Sequence, residues 1–530
     1  MEISTGYIYY FLIVQIYFAR GYKILGIFPF PAKSHFTFNN AIMKSLIDAG
    51  HDVTVVTSFP DQAMQENYTS VIDTSKDEII HLSQPFTTVF ARNAFTILGS
   101  AMNTEKSFCY KMMKLPEIQF ALNSNEKLYD VIFVEIMLLY KCFLPIAAKL
   151  NIPVIGTETF KQKINADNSI GNPNHPGYIY FEGVPNKWDK ETFLGRFNNV
   201  WNYIDVTLYH YLYVIPCLKK FHQDHSQLLA PISKYMHMEP DLIFFNNHPS
   251  ILSRPLVPNA IEIGGIHTKQ VKPLPKNIKK FIDEAAQGVI LFSMGSLVKA
   301  ATMPLETANA FREAFAEIPQ RVIWKYEGQM ENVSDNVMLL DWLPQRDILE
   351  EKNVKVFISH CGQGGINEAI YSATPIISCA VFGDQLTNAD ILEKMEVAVQ
   401  LDITNVSKKD ILTAVNTIIN DTRYRNNMEK LSKIFKDRPM TPQQSVVYWT
   451  EYIIRHNRAP HLKTASLQLN WFQYFLLDVI LYFIVLVLFT ITCLIHYTLK
   501  LILRHLHSCY KSIHNSHSFL CKRNIKNKKQ

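Results

Sequence analysis

Two groups of residues in this 530-residue chain have the types and spacing to do chemistry. The first is the stretch 354–385, VKVFISHCGQGGINEAIYSATPIISCAVFGDQ. It reads as a short apolar strand, a glycine-rich loop (His360-Cys361-Gly362-Gln363-Gly364-Gly365), a helical pattern from 366 to 372, and a second strand running into Asp384-Gln385. A strand, a glycine loop and a helix in that order present orphan backbone N–H groups and the positive end of a helix dipole, which together stabilise a phosphate. Glycine permits the sharp turn and the close approach of main chain to ligand. No Gly-Lys-Ser/Thr closes the loop and the G-x-G-x-x-G spacing is absent, so the anion is not specified by these residues alone. Glu368 and the Asp384-Gln385 pair add acceptors for sugar hydroxyls. The second group is His35 with Glu135. A histidine ordinarily titrates near ~6.5 and can take a proton from a hydroxyl around neutrality. A carboxylate on its other ring nitrogen fixes the tautomer and stabilises the imidazolium. Trp342 offers an aromatic face for a nucleobase, or else is a core residue.

These residues need elements to hold them. From Tyr22 the chain alternates strand and helix: a strand at 23–28 stopped by Pro29, a loop at 30–35 carrying His35, a helix at about 38–48 ending at Gly50, and a strand at 53–57. A βαβ opening implies a parallel sheet whose ligand crevice lies at the C-terminal ends of its strands, where His35 falls. Strands follow at 130–134, ending beside Glu135, at 153–156, and at 242–245 as the last of this half; a helix lies near 140–149. The segment 161–188, rich in Pro, Asn and Gly, reads as a long irregular wall for an acceptor. A proline-marked connector covers 246–275. The second half repeats the theme, with strands at 289–293, 321–325, 337–340, 354–359 and 375–379 and helices between them.

Composition and chain ends bound the class. A hydrophobic content of 48% with 19% charge is that of a globular protein, and 530 residues exceed one ordinary core. The net charge of +6 belongs to a tail: eight Lys or Arg and no acid follow His496, leaving −2 for everything before them, so no polycationic field for nucleic acid exists. The apolar run 7–18 ending at Ala19-Arg20-Gly21 reads as a secretory signal peptide. The uncharged run 479–495, flanked by aromatics and followed by the basic tail, reads as a transmembrane helix with the tail in the cytosol. Lys526 and Lys528 form a K-x-K-x-x pattern of the kind that returns proteins to the endoplasmic reticulum. Sequons at Asn67, Asn332, Asn405 and Asn420 are glycosylation candidates in that lumen. Eight cysteines are too few for a disulfide framework, no spacing suggests a metal, and any pairing among Cys109, Cys142, Cys217, Cys361 and Cys379 is open.

The stretch 354–385, with DWLPQRDIL at 341–349, LFSMGS at 291–296 and LNWFQY at 469–474, resembles the UDP-glycosyltransferases, in particular the membrane-bound animal UDP-glucuronosyltransferase group. The resemblance implies a GT-B-like α/β fold: two Rossmann-like parallel-sheet domains facing a cleft, plus one C-terminal transmembrane helix. The expected layout is a signal peptide at 1–21, an acceptor-binding domain at 22–245, a linker at 246–275, a UDP-sugar-binding domain at 276–440, a C-terminal helix and membrane approach at 441–470, a span at 471–497 and a basic tail at 498–530. The resemblance places Trp342 on uracil, Gln345 on base or ribose and Ser293 near the phosphates. It gives His360 and the cradle of Gly362, Gly364 and Gly365 to the diphosphate, Glu368 to ribose, and Asp384 and Gln385 to the sugar. His35 is then the base and Glu135 its orienting acid. The implied reaction is inverting transfer of glucose or glucuronic acid from UDP-glucose or UDP-glucuronic acid to a hydroxyl of a small lipophilic acceptor, as in detoxification, with no cofactor and no metal. Membrane lipid is a partner, and a homo-oligomer is left open. A carboxylate-bearing sugar calls for a nearby cation, for which Arg254 and Lys325 are candidates. Three positions depart from the family pattern: Glu135 stands for Asp, Cys361 for Gly and Ala380 for Pro. The first two make a weakly active or silent lumenal UDP-sugar or lipophile binder the alternative.

Overall fold

The computed structural model describes residues 21–64, 67–74, 94–124, 126–161, 163–179, 191–229, 231, 236–268 and 271–527. The expected signal peptide, except Gly21, and Lys528 of the retrieval pattern lie outside them. Residues up to Thr464 form one compact unit and Ala465–Gln530 a second.

The first unit holds two all-parallel sheets. The first orders its strands β3-β2-β1-β4-β5-β6-β7: β1 Lys23–Phe28, β2 Asp52–Thr57, β3 Ser70–Asp73, β4 Val131–Glu135, β5 Val154–Glu158, β6 Leu242–Phe245 and β7 Ala260–Glu262. The second orders them β10-β9-β8-β11-β12-β13: β8 Val289–Ser293, β9 Arg321–Lys325, β10 Val337–Leu340, β11 Val354–Ser359, β12 Ile376–Ser378 and β13 Ala398–Gln400. Counted from its own first strand, the second sheet reads 3-2-1-4-5-6, the doubly wound Rossmann order, and the first reads the same with a seventh strand added at its edge. Each therefore has a switch point where the winding reverses, between β1 and β4 in one and between β8 and β11 in the other. There Ile24 pairs with Val131 and Ile358 with Phe292.

Strands β4, β5, β6 and β8 are buried at every residue, because helices cover both faces of these sheets. Apolar clusters form on both faces of each sheet; one face of the second is built on Phe292, Phe311, Phe315 and Trp324. Each such side chain contributes about 1.5–3 kcal/mol relative to exposure. The helix Lys33–Asp48 ends where expected, with Gly50 in the left-handed region (φ 87). It starts earlier than the sequence pattern suggests, so His35 lies in its first turn and not in a loop.

Three further differences concern the first domain. Strand β7 lies inside the stretch read as linker, so β6 is not the last strand of the first sheet. Only three residues long, β7 is too short for a periodic signal. The stretch read as irregular contains a helix, Ile164–Ile170, closed by Gly171 at φ 69. And the helix Pro442–Arg455, opened by a Thr441/Gln444 capping box, returns to the first domain: Val446, Ile453 and Ala459 complete the cluster of Ile24, Phe28, Phe36 and Ile42. Arg458 and Lys463 then reach Asp241, a fully buried acid ahead of β6.

In the second unit a short turn of helix, Trp471–Tyr474, precedes the helix Leu477–Asn527, whose residues 477–515 are long and apolar enough to cross a membrane.

Candidate active site

Both chemical groups sit at switch points. At the first, His35 follows β1 and Glu135 closes β4. The parallel pairing of these adjacent strands brings residues 100 apart in sequence into contact: His35 Nδ1 lies 2.5 Å from Glu135 Oε1. Thr159, just past β5, donates to the same oxygen at 2.7 Å, and Asn39 donates to Oε2 at 3.3 Å. Burial alone would raise the Glu135 carboxyl, but the His35 charge and hydrogen bond, with Thr159 and Lys163, outweigh it and hold the group below its ordinary range. An ionised Glu135 accepts, so Nδ1 carries the proton and Nε2 is the nitrogen left to act as base. The rings of Phe30 and Phe160 flank the imidazole at 4.9 and 5.3 Å. The extra methylene of Glu135 does not break the pair.

Beside the pair is a cavity of about 20 Å³ lined by Ile27, Phe30, Phe108, Met137, Leu139 and Phe143, with Glu105 and Glu135 as its polar wall. It has room for roughly one water. Glu105, wholly buried, accepts from the Leu139 amide at 2.6 Å, and its carboxyl is pushed up to about 7 by burial. A disulfide, Cys109–Cys142, ties the Glu105 helix to the segment after β4. A larger hollow of about 540 Å³ lies by Lys23, Asp52 and Tyr129, at the N-terminal ends of the strands, away from this chemistry.

At the second switch point Ser293 ends β8 and the glycine loop follows β11. The helix Gln363–Tyr371 is N-capped by Gly362 with no side-chain cap, so Gly364 and Gly365 lie in its first turn, whose amides are orphan donors. The His360 ring is sandwiched between glycines: a Cβ at Gly295 or Gly362 would come within 2.5 Å of it. Burial, then the Lys325 charge, pushes the imidazole down to about 4, so it is neutral at pH 7, and its Nδ1 has no partner among the described residues. A neutral ring has a single N–H, and its hydrogen bond to the Ser293 main chain draws on that donor. Ser293 Oγ accepts from the Gly295 amide at 3.3 Å. Cys361, buried, has φ 62, the left-handed region that favours glycine, which explains physically why a glycine suits this place.

Trp342 is 60% exposed with the Lys325 ammonium 5.5 Å from its ring centre, whereas Trp324 is the core tryptophan. Trp342 is therefore not a core residue. Gln345 donates to Glu368 at 2.7 Å, which joins the two residues expected around the nucleoside; burial raises the Glu368 carboxyl. Asp384 heads the helix Asp384–Lys394 and accepts from Asn388 at 3.0 Å. The Gln385 oxygen is turned onto its own loop, accepting from the Val381 and Phe382 amides at 3.0 and 3.2 Å, so only its amide NH2 is left to meet a sugar. Arg254 is buried against Asp167 and Lys325 is paired with Glu327, so neither candidate cation stands open to a carboxylate. Sequence reasoning missed Thr159, Asn246 and Lys161. Asn246 donates to the Thr159 carbonyl and accepts from Asn367 on the glycine-loop helix, both at 2.9 Å, linking the two half-sites. The four sequon asparagines are all exposed. No cluster of metal-ligating side chains occurs among the described residues.

Two parallel Rossmann sheets, with the His35–Glu135 pair at one switch point and a glycine loop at the other, form the fold of the GT-B class of glycosyltransferases. The glycotransferase of kitacinnamycin has the same fold (TM-score 0.55, 16% identity, covering 83% of this chain and all of that one), as does the calicheamicin glycosyltransferase CalG4 (0.52, 15%, 82% and 99%). The model of the UDP-glucoronosyl and UDP-glucosyl transferase family matches residues 25–512. UDP-glucosyltransferase 2 of Dactylopius coccus is 37% identical over 93% of this chain and 96% of its own length, and UDP-glucuronosyltransferase 2B18 of Macaca fascicularis is 30% identical over 84% and 87%. The chain belongs to this family and is a UDP-glycosyltransferase, with a UDP-sugar as donor and no required cofactor.

Proposed function

We propose that this enzyme transfers a neutral hexose, as in UDP-glucose, to a hydroxyl of a small lipophilic acceptor by single displacement with inversion. The observation that carries the reading is the His35–Glu135 contact of 2.5 Å at one switch point, in a chain whose other switch point carries the glycine cradle. Nε2 of His35 takes the acceptor proton as the acceptor oxygen bonds to the anomeric carbon, and the bond from that carbon to UDP breaks. Glu135 holds the imidazolium. The leaving diphosphate meets the first-turn amides of Gly364 and Gly365, with the neutral His360 ring packed beside them. Trp342 stacks on uracil, Gln345 and Glu368 meet the nucleoside, and Ser293 lies near the phosphates. Asp384 and the Gln385 amide meet the sugar. The commitments of Arg254 to Asp167 and Lys325 to Glu327 favour glucose over glucuronic acid, since each of these two cations already has a carboxylate partner.

The disulfide, the exposed sequons and the basic tail after the apolar helix support residence in the endoplasmic reticulum membrane as a single-pass type I protein with a lumenal active site. Microsomes carrying the enzyme, offered labelled UDP-glucose and UDP-glucuronic acid with a panel of phenols and alcohols, test donor and acceptor together. His35→Ala must abolish product; full turnover by that variant sinks the mechanism. Cys361 in a left-handed conformation within the phosphate loop favours a second reading, a binder with little turnover, for which donor would bind and no product form.

A further inference from the structure

One buried cation is not used by the chemistry above. Lys161 lies three residues past β5, in the first domain, and is 1% exposed. Its ammonium donates to Oδ1 of Asn388, which belongs to the second domain. The Asn388 amide donates in turn to Asp384 Oδ2 at 3.0 Å and to the Cys361 carbonyl at 2.9 Å. A lysine of the acceptor domain therefore ends in the cluster that fastens the glycine loop to the carboxylate facing the sugar. Ordering a lysine costs side-chain entropy, and desolvating its charge costs more. Such a group persists in a fold only where its partners repay the cost.

The neighbours of Lys161 point the other way. Thr159 bonds to Glu135 at 2.7 Å, and Phe160 stands edge-on to His35 at 5.3 Å. Three consecutive residues, Thr159-Phe160-Lys161, thus touch the proton acceptor's carboxylate, its ring and the sugar side of the donor site.

We propose that Lys161 is a positioning residue for the donor sugar. By fixing the Asn388 amide it orients Asp384 for the hexose hydroxyls, and by its place in the chain it sets that orientation relative to the His35–Glu135 pair. The sugar subsite is then complete only when the acceptor domain contributes its lysine, while the uridine and diphosphate contacts belong to the second domain alone. The inference rests on Asp384 being a sugar contact.

The test separates sugar from nucleotide. Full-length enzyme in detergent, as wild type, Lys161→Met and Lys161→Arg, is titrated with UDP and with UDP-glucose by calorimetry, and KM is measured for donor and acceptor. UDP-glucuronic acid is run in parallel, and the split is read on the donor that turns over. Lys161→Met should leave the UDP affinity within twofold and raise the UDP-sugar KM tenfold or more, with the acceptor KM unchanged; Lys161→Arg should recover part of the loss. Equal weakening of UDP and UDP-sugar makes Lys161 a plain latch between domains and overturns the proposal, as does no change in either. Should Lys161→Met fail to fold, Asn388→Ser, which cuts the same link and keeps the cation, must give the same split. Asp384→Asn is the separate control: an unchanged UDP-sugar KM there removes the underlying assignment of Asp384, whatever Lys161 does.

Discussion

Replacing Glu135 by Asp shortens one side chain by one methylene and leaves its charge. The carboxylate retreats by about 1.5 Å, one C–C bond. The contact to His35 Nδ1, 2.5 Å in the wild type, opens to about 4 Å, beyond the ~3.2 Å limit of a useful N–H···O bond. The Thr159 bond at 2.7 Å is lost with it. A hydrogen bond to a charged group is worth about 1.5–3 kcal/mol, and 1.36 kcal/mol is tenfold in rate, so kcat should fall about 10- to 150-fold. Glu135→Gln keeps the reach and loses the charge that stabilises the imidazolium, and should cost about 10²–10⁴. The donor KM should stay within twofold in both, since the uridine and diphosphate residues sit on the other sheet. Initial rates with the working UDP-sugar and a phenolic acceptor, alongside melting curves, give the comparison. The reasoning is refuted if Glu135→Asp is as fast as wild type while His35→Ala is inactive, because the reach of the carboxylate would then not matter.

Further outcomes follow from other contacts. Trp342→Ala should weaken UDP binding by about 1–3 kcal/mol, roughly 5- to 150-fold by calorimetry, with little change in melting temperature because the ring is 60% exposed. Removing the disulfide with Cys109→Ser and Cys142→Ser frees a loop spanning 33 residues and should cost about 3–4 kcal/mol by loop entropy, seen as a lower melting temperature. Burial pushes His210, His248 and His360 each down to about 4. Their folded values lie below the ~6.5 of an unfolded chain, so below pH 6.5 the unfolded chain binds more protons. That share of stability is complete above pH 6.5 and is lost as pH falls toward 4. Melting curves from pH 7.5 to 4.5 should drop steadily; a flat profile would contradict it.

Much of the fold was legible because a strand buried on both faces is a continuous apolar run: β1, β6 and β8–β11 stand where those runs do. The three-residue strands β7 and β13 carry too little pattern to be seen. The helix Phe193–Tyr209 was missed because its apolar residues, among them Phe193, Phe197, Trp201 and Leu208, face outward, so they mark no core. At the site, the residues following strand ends were readable, since the winding of a parallel sheet brings strand ends together. Lys161 was not: its partner lies 227 positions away, and a lone lysine in an Asn-rich stretch looks like surface. Glu135 showed a different limit, because whether a longer carboxylate reaches its histidine depends on backbone placement that the residue type does not encode.

The return of the helix Pro442–Arg455 to the first domain has a consequence for the order of synthesis. Once residue 262 has left the ribosome, all seven strands of the first sheet exist and can pair. The face made by Ile24, Phe28, Phe36 and Ile42 still waits for Val446, Ile453 and Ala459. At ~5–20 residues per second those ~200 intervening residues take about 10–40 s to make. For that interval the nascent chain carries a nearly finished domain with an open apolar furrow, which is a ready client for a chaperone. A stop codon anywhere before 442 would leave that furrow open for the life of the chain, even with every catalytic residue in place.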